Sequence, residues 1–342
     1  MIPRTPLPHI REYISVLNET LQEKGHKPLS RIQQGFLCFI LMGMLLTQSL
    51  CWARLERASG GRYQDGALCK MFYHGLKCWD YLLAVSALIV MKRFNITSGV
   101  LVLDDSDRGR SKNTTKIWGV EKTVLKGTGG FHYAQNIVFL ILVTPEITIP
   151  VGATFYRPDP VLREWSKNDK KLIKQGIKKK NRPPKPQRQS DYPSRVELAC
   201  SLIKQFKEDY PELRIKAILA DSAYFNPSFM GGIDKTDQNV QILTQMRENQ
   251  KVKFGRDKEQ QVKDFFNKRE WNSTILQLRG HGETLVHYSS AVVTIISHGR
   301  KYRVVGLRYE DEKEPRFLVG SDLSWRPEDM IQYYSLRWLV EV

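Results

Sequence analysis

Acidic residues are scarce in this chain. Its 36 Asp and Glu stand against 53 Lys and Arg, a formal charge of +17 at pH 7 over 342 residues, which favours a polyanionic partner. Cysteine is scarce too: Cys38, Cys51, Cys69, Cys78 and Cys200 form an odd set with no CxxC pair. That excludes a disulfide framework and fits a reduced, cytoplasmic location. Cys69, His74 and Cys78 match no standard zinc spacing and lack a fourth ligand. Long apolar runs are missing as well. Phe36 to Leu46 is bounded by Gly35 and by Thr47-Gln48, well short of the roughly 20 residues of a membrane span, so a buried helix is expected. Pro3, Pro6, Pro8 and several charges precede that run at a distance that does not suit a signal peptide. There is no internal repeat, and the glycosylation-type triplets at Asn95, Asn113 and Asn272 carry no weight in a cytoplasmic protein.

What is present divides the chain. Residues 1–95 are helical and apolar without strand alternation, with Tyr81 to Val90 expected as a second buried helix and Arg54, Arg57, Arg62 and Lys70 on its surface. Two short β-branched runs then end in carboxylates: Gly99 to Leu103 leads into Asp104-Asp105-Ser106, and Ile215 to Ala220 leads into Asp221. Both read as buried strands. An aspartate at such a point can cap the next element, or it can meet a cation there. Between the two runs, Phe131 to Thr144 and Ile147 to Tyr156 read as a hairpin about Pro145-Glu146, and a helix is expected from Ser194 through Tyr210, stopped by Pro211. Strand, hairpin, helix, strand is the ribonuclease-H-like order, a mixed α/β sheet with flanking helices, assigned here to residues 96–255. It converges Asp105 and Asp221 on the carboxyl ends of adjacent strands.

Residues 256–325 are punctuated by glycine and alternate like short strands, an inserted antiparallel β subdomain in which Trp271 or Tyr288 either stacks on a base or fills the local core. Residues 160–192 carry a basic, proline-containing run that includes Lys178, Lys179 and Lys180; it reads as a solvated linker or as a contact to phosphates. Residues 326–342 open a last helix on which Tyr334, Arg337 and Glu341, spaced i, i+3 and i+7, share one stripe. A carboxylate beside a guanidinium suits a metal-dependent phosphoryl-transfer site, the acid holding the cation and the cationic fork the substrate oxygens.

Together these residues resemble the DDE insertion-sequence transposases of the insertion-sequence-four family, relatives of the bacterial transposon-five enzyme. Tyr334, Arg337 and Glu341 fit its Y-(2)-R-(3)-E helix, Asp221-Ser222-Ala223-Tyr224 its second-aspartate string, and Asp105 before Ser106 its DDT-like string, with Asp104 the competing choice. Met246-Arg247-Glu248-Asn249 resembles the polar segment that follows.

The resemblance implies cut-and-paste DNA transposition in a prokaryotic, nucleoid-associated setting. Asp105, Asp221 and Glu341 would be the catalytic and metal-binding triad, holding two Mg²⁺ ions about 3.5–4 Å apart, with Mn²⁺ able to substitute. Tyr334, Arg337, Arg247, Asn249 and Trp271 would contact DNA. The partners would be terminal inverted repeats and target DNA, gripped by a homodimer without a membrane, and the N-terminal region would help recognise the repeats. The family pattern continues to a lysine near position 348, so a truncated reading frame is expected. A non-catalytic DNA-binding remnant that represses transposition, or a non-mobile nuclease of the same fold, then stand as alternatives.

Overall fold

The computed structural model describes residues 1–75, 79–110, 117–124, 130–236, 240–280, 282–310 and 312–340. The chain divides into two compact units, Met1–Ile96 and Thr97–Val342.

The first unit is helical: α1 (Pro8–Glu23), α2 (Arg31–Thr47), α3 (Trp52–Ala58), α4 (Asp65–Lys70) and α5 (Trp79–Arg93). Ser30 starts α2 through a capping box with Gln33, and Gln48, in the left-handed region, ends it. Ile10, Ile14, Leu17 and Leu21 of α1 meet Phe36, Phe39 and Ile40 of α2, with Leu55, Leu68 and Leu82 completing the core. Gly43 lets α3 cross α2 closely, because a Cβ there would stand 2.4 Å from Leu55 Cδ2. Among the described residues no single helix is long and apolar enough to cross a membrane; α2 and α3 pass that test only jointly, and they meet at a bend of 89°.

The second unit is built on one mixed sheet: β1 (Ser98–Arg110), β2 (Val120–Val124), β3 (Phe131–Val143), β4 (Thr148–Tyr156), β5 (Arg214–Ala220), β6 (Gln241–Met246), β7 (Lys251–Lys253), β8 (Gln260–Gln261), β9 (Asn272–Leu278), β10 (Gly282–Ile295), β11 (Arg300–Tyr309) and β12 (Arg316–Gly320). Its helices are α6 (Pro160–Lys174), α7 (Arg195–Asp209), α8 (Pro227–Thr236), α9 (Val262–Asn267) and α10 (Pro327–Ser335), the last running into a 3₁₀ turn at Leu336–Val340. Strands run in the order β2-β3-β1-β5-β6-β12-β11-β10-β7-β8, with β4 also on β3 and β9 also on β10. At the centre β1, β5 and β6 are parallel, while β3 is antiparallel to β1 and β4 to β3. Buried on both faces, the central strands are near-continuous apolar runs.

Two expectations change. The stretch expected as an inserted subdomain is continuous with the central sheet, because β12 pairs with β6 and carries β9 to β11 along with it. The basic run at 160–192 is no simple linker. Asp159 caps α6 by accepting from Val161 and Leu162, Pro160 opens its first turn, and the segment after α6 folds back on it through Arg182 to Asp169 (2.7 Å), Trp165 Nε1 to the Pro183 carbonyl (3.0 Å) and Gln189 to Asp159 (2.8 Å). α7 spans the expected segment, with Ser194 and Glu197 forming a capping box.

Candidate active site

Strand parity builds the site. β1 and β3 pair without a shift from Val100 to Arg110, so the side chains of β1 alternate strictly between the two faces of the sheet. Val100 and Val102 belong to a core cluster shared with Ala217, Leu219, Leu243 and with Met330, Ile331 and Tyr334 of α10. Asp104 follows on that face, and Asp221 follows Ala217 and Leu219 on the neighbouring strand. The parallel register, Leu103 opposite Ala220, brings the two carboxylates side by side, Asp104 midway along β1 and Asp221 just past the end of β5, where neighbouring strands lie about 4.8 Å apart; β1, expected to end at Leu103, runs on to Arg110 because β3 keeps pairing with it.

The last helix supplies a cation. Arg337 lies in the 3₁₀ turn, 8% exposed, and its Nη1 stands 3.1 Å from Asp104 Oδ2; the guanidinium also lies over the rings of Trp338 (4.7 Å) and Tyr334 (5.8 Å). A guanidinium this buried needs such a partner. Burial pushes the Asp104 carboxyl above its ordinary value, and Asp221 and Asp105 push in the same direction; the Asp105 backbone N–H, donating at 2.8 Å, and Arg337 oppose them. Burial likewise raises the Tyr334 phenol, which sits in the fields of Arg337, Asp221 and Asp104. Asp221 orients itself by accepting from the Ser222 N–H at 2.5 Å, and its backbone carbonyl accepts from Thr244 Oγ1 at 3.0 Å.

Asp105, expected beside Asp221, points to the opposite face of the sheet, one residue out of phase with Asp104. There it accepts from Asn136 Nδ2 (3.2 Å) and pairs with Arg195 at the start of α7 (3.3 Å). Asn136 also donates to Asp107 (2.9 Å), and Arg195 lies over the Tyr156 ring (4.9 Å). A cation in the first turn opposes the helix dipole, and Asp105 offsets that cost. Tyr224 is buried on Phe229 behind this face, its phenol raised by burial and by Asp105, and its hydroxyl has no hydrogen-bond partner among the described residues.

The remaining expected residues scatter. Glu341 lies outside the described residues. Arg247 and Asn249 are exposed in the turn between β6 and β7. Lys178, Lys179 and Lys180 are exposed beyond α6. Trp271 is packing material: its Nε1 donates to the Phe266 carbonyl (3.2 Å), and it fills the space over Gly306, where a Cβ would stand 3.1 Å from the indole. Tyr288 is tied through its hydroxyl to Glu328 of α10, which pushes the phenol up to about 12. Arg195 and Asn136 carry no sequence signal, since each matters only through a partner on another strand or helix.

Among the described residues no three His, Cys, Asp or Glu side chains converge as a ready metal site. Asp104 and Asp221 alone supply hard oxygen donors, of the kind that suits Mg²⁺ or Mn²⁺, and their mutual repulsion is what a bound cation would relieve. No model of a known protein family matches the chain, and no curated protein matches it in sequence.

Proposed function

We propose that the chain is a DNA-processing phosphoryl-transfer enzyme, a DDE transposase on a ribonuclease-H-like sheet, with Asp104 rather than Asp105 as its first acid. One observation carries the reading: Asp104, midway along β1, and Asp221, just past the end of its parallel neighbour β5, share one sheet face, under α10 and the 3₁₀ turn that brings Arg337 to Asp104. Open α/β sheets take their ligands at the carboxyl ends of central strands, as Asp221 stands after β5. The central order β4-β3-β1-β5-β6, antiparallel only at β3, supports the fold assignment.

Asp104 and Asp221 would hold a divalent cation, Mg²⁺ or Mn²⁺, which when bound lowers the pKa of the attacking water and stabilises the departing oxygen. In the first step a water oxygen bonds to the scissile phosphorus and the 3′ oxygen leaves with a proton, giving a 3′-hydroxyl and a 5′-phosphate. That hydroxyl then bonds to a phosphorus of target DNA, displacing the target's own 3′ oxygen. Arg337, with Tyr334 packed against it, would hold a non-bridging phosphate oxygen, and the basic surface would supply sequence-blind affinity for the backbone. Terminal inverted repeats and target DNA are the partners of this reading, with two copies acting on paired ends.

The test is nicking and joining of DNA segments that flank the protein's own gene, in Mg²⁺. Asp104→Asn and Asp221→Asn should each abolish both steps while DNA binding persists. Undiminished strand transfer by Asp221→Asn would reject the assignment.

A further inference from the structure

The face that carries Asp104 does not end at the candidate site. Moving outward along β1, the residues on this face are Asp104, Ser106, Arg108 and Arg110; opposite them on β3 stand Phe139, Ile137, Gln135 and Tyr133, and Phe131 comes next on that strand. Phe155 of β4 pairs with Ile137 and so shares the face, as does Lys122 of β2, which pairs with Tyr133. Three aromatic rings are left open to solvent: Trp118 is 59% exposed, Phe131 65% and Phe155 41%. Trp118 meets Phe155 edge to face at 5.7 Å, where β2 and β4 abut along the same edge of β3.

Two of the three open rings have a cation over them. Arg157 lies 5.1 Å over Trp118, and Lys122 lies 4.9 Å over Phe131. Arg110 is aimed by Gln135, whose Nε2 in turn donates to the Trp118 carbonyl at 2.7 Å. Outward of Asp104 no carboxylate occupies this face among the described residues of β1 to β4; Asp107 and Glu121 both point to the other side, Glu121 to Arg163. The surface therefore combines flat rings that can stack on bases with cations that can take phosphates, and it runs about 20 Å along β1 from Asp104 to Arg110.

We infer that this sheet face is a platform for an unpaired stretch of nucleic acid, with bases on Trp118, Phe131 and Phe155 and phosphates on Arg108, Lys122 and Arg157, leading the strand toward Asp104. The inference rests on the phosphoryl-transfer reading for its direction and adds to it a substrate form, a strand opened beside the cleavage point. A duplex would offer its backbone to the cations and leave the rings unused. An acidic polypeptide would likewise use the cations alone.

The probe is a fluorescently labelled single strand of about 15 nucleotides, matched to the span of an ordinary single-strand site, set against a blunt duplex of the same length. Trp118→Ala and Phe155→Ala should each weaken single-strand binding about tenfold with little change on the duplex, and Trp118→Phe should restore most of it. Replacing Lys122 and Arg157 by Gln should flatten the salt dependence on the single strand by roughly 1.4 in log–log slope. A bromouracil-bearing strand should photocrosslink to Trp118, Phe131 or Phe155. Parental single-strand affinity in both alanine variants, equal losses on duplex, crosslinks confined to other segments, or competition by polyglutamate as effective as by oligonucleotide would each overturn the platform. Asp104→Asn separates the two readings. If it stops nicking while the ring variants bind normally, the chemistry stands and the platform falls; if it nicks normally while the ring variants lose the strand, the chemistry falls.

Discussion

Asp104 and Asp105 are neighbours in sequence and opposites in circumstance. Asp104 faces α10, crowded by Asp221, and its carboxyl is pushed above the ordinary range with one buried guanidinium in compensation. Asp105 faces α7, where Asn136 and Arg195 satisfy it. The first arrangement disfavours the charged carboxylate, a cost that a bound cation would relieve; the second is a closed structural clamp. A single step along a strand thus separates the carboxylate of the candidate site from one that holds the fold together.

The sharpest way to break this contrast is activity. Asp104→Asn should lower Mg²⁺-dependent DNA nicking by about a thousandfold or more, as expected when several kcal/mol of transition-state stabilisation is removed. Asp105→Asn should lower it by less than about tenfold once the folded fraction is matched. Equal losses would erase the distinction between the faces.

Thermal stability in Mg²⁺ is the next contrast. At a cation concentration about 100 times its dissociation constant, a site present only in the folded chain adds about 2.7 kcal/mol. Melting of the parent and of Asp105→Asn should therefore shift upward with Mg²⁺, and that of Asp104→Asn should not.

Without metal the ranking reverses. Arg195→Ala leaves the mostly buried Asp105 carboxylate without its cation and should cost about 1–3 kcal/mol in denaturant unfolding, while Asp105→Ala leaves a guanidinium, 40% exposed, that water can reach and should cost less. Asp104→Asn should also cost less, because it removes a disfavoured charge while the amide oxygen can still accept from Arg337. Because folding raises the Asp104 pKa, its favourable contribution is present below the unfolded carboxyl range, about 3.9, and is lost as pH rises through the folded value. Stability of the parent should accordingly fall across that window, relative to Asp104→Asn. A parent curve parallel to that of the variant would show that the carboxyl is not under strain.

The smallest effect concerns α6, which reaches β2 on the same face as Asp105 through Arg163 and Glu121. Replacing Lys178, Lys179 and Lys180 by Gln should reduce duplex affinity about equally across sequences and flatten the salt slope by no more than about 3, leaving turnover of bound DNA unchanged. An unchanged slope would return these lysines to ordinary surface.

Much of the fold was legible because it is written in local pattern. The β3–β4 hairpin, the Ser194-capped α7 and the apolar strands leading into Asp104 and Asp221 follow from period, caps and breakers; the polar continuation of β1 from Asp104 to Arg110 was not legible, since only its pairing with β3 makes it a strand. α6 was missed because its lysines mimic a solvated tract, while the groups that order it, Trp165 to Pro183 and Arg182 to Asp169, are contacts at a distance. The last stripe was legible as far as Tyr334 and Arg337; the change to a 3₁₀ turn at Leu336 depends on packing against β1 and β3.

By itself the sequence determined that two buried strands would each lead into a carboxylate, since apolar runs and turn residues act locally. Which of two adjacent aspartates would meet Asp221 was a matter for the tertiary structure alone. Alternation assigns them to opposite faces whatever the fold, but only the packing of α10 on one face and α7 on the other decides which face is the site.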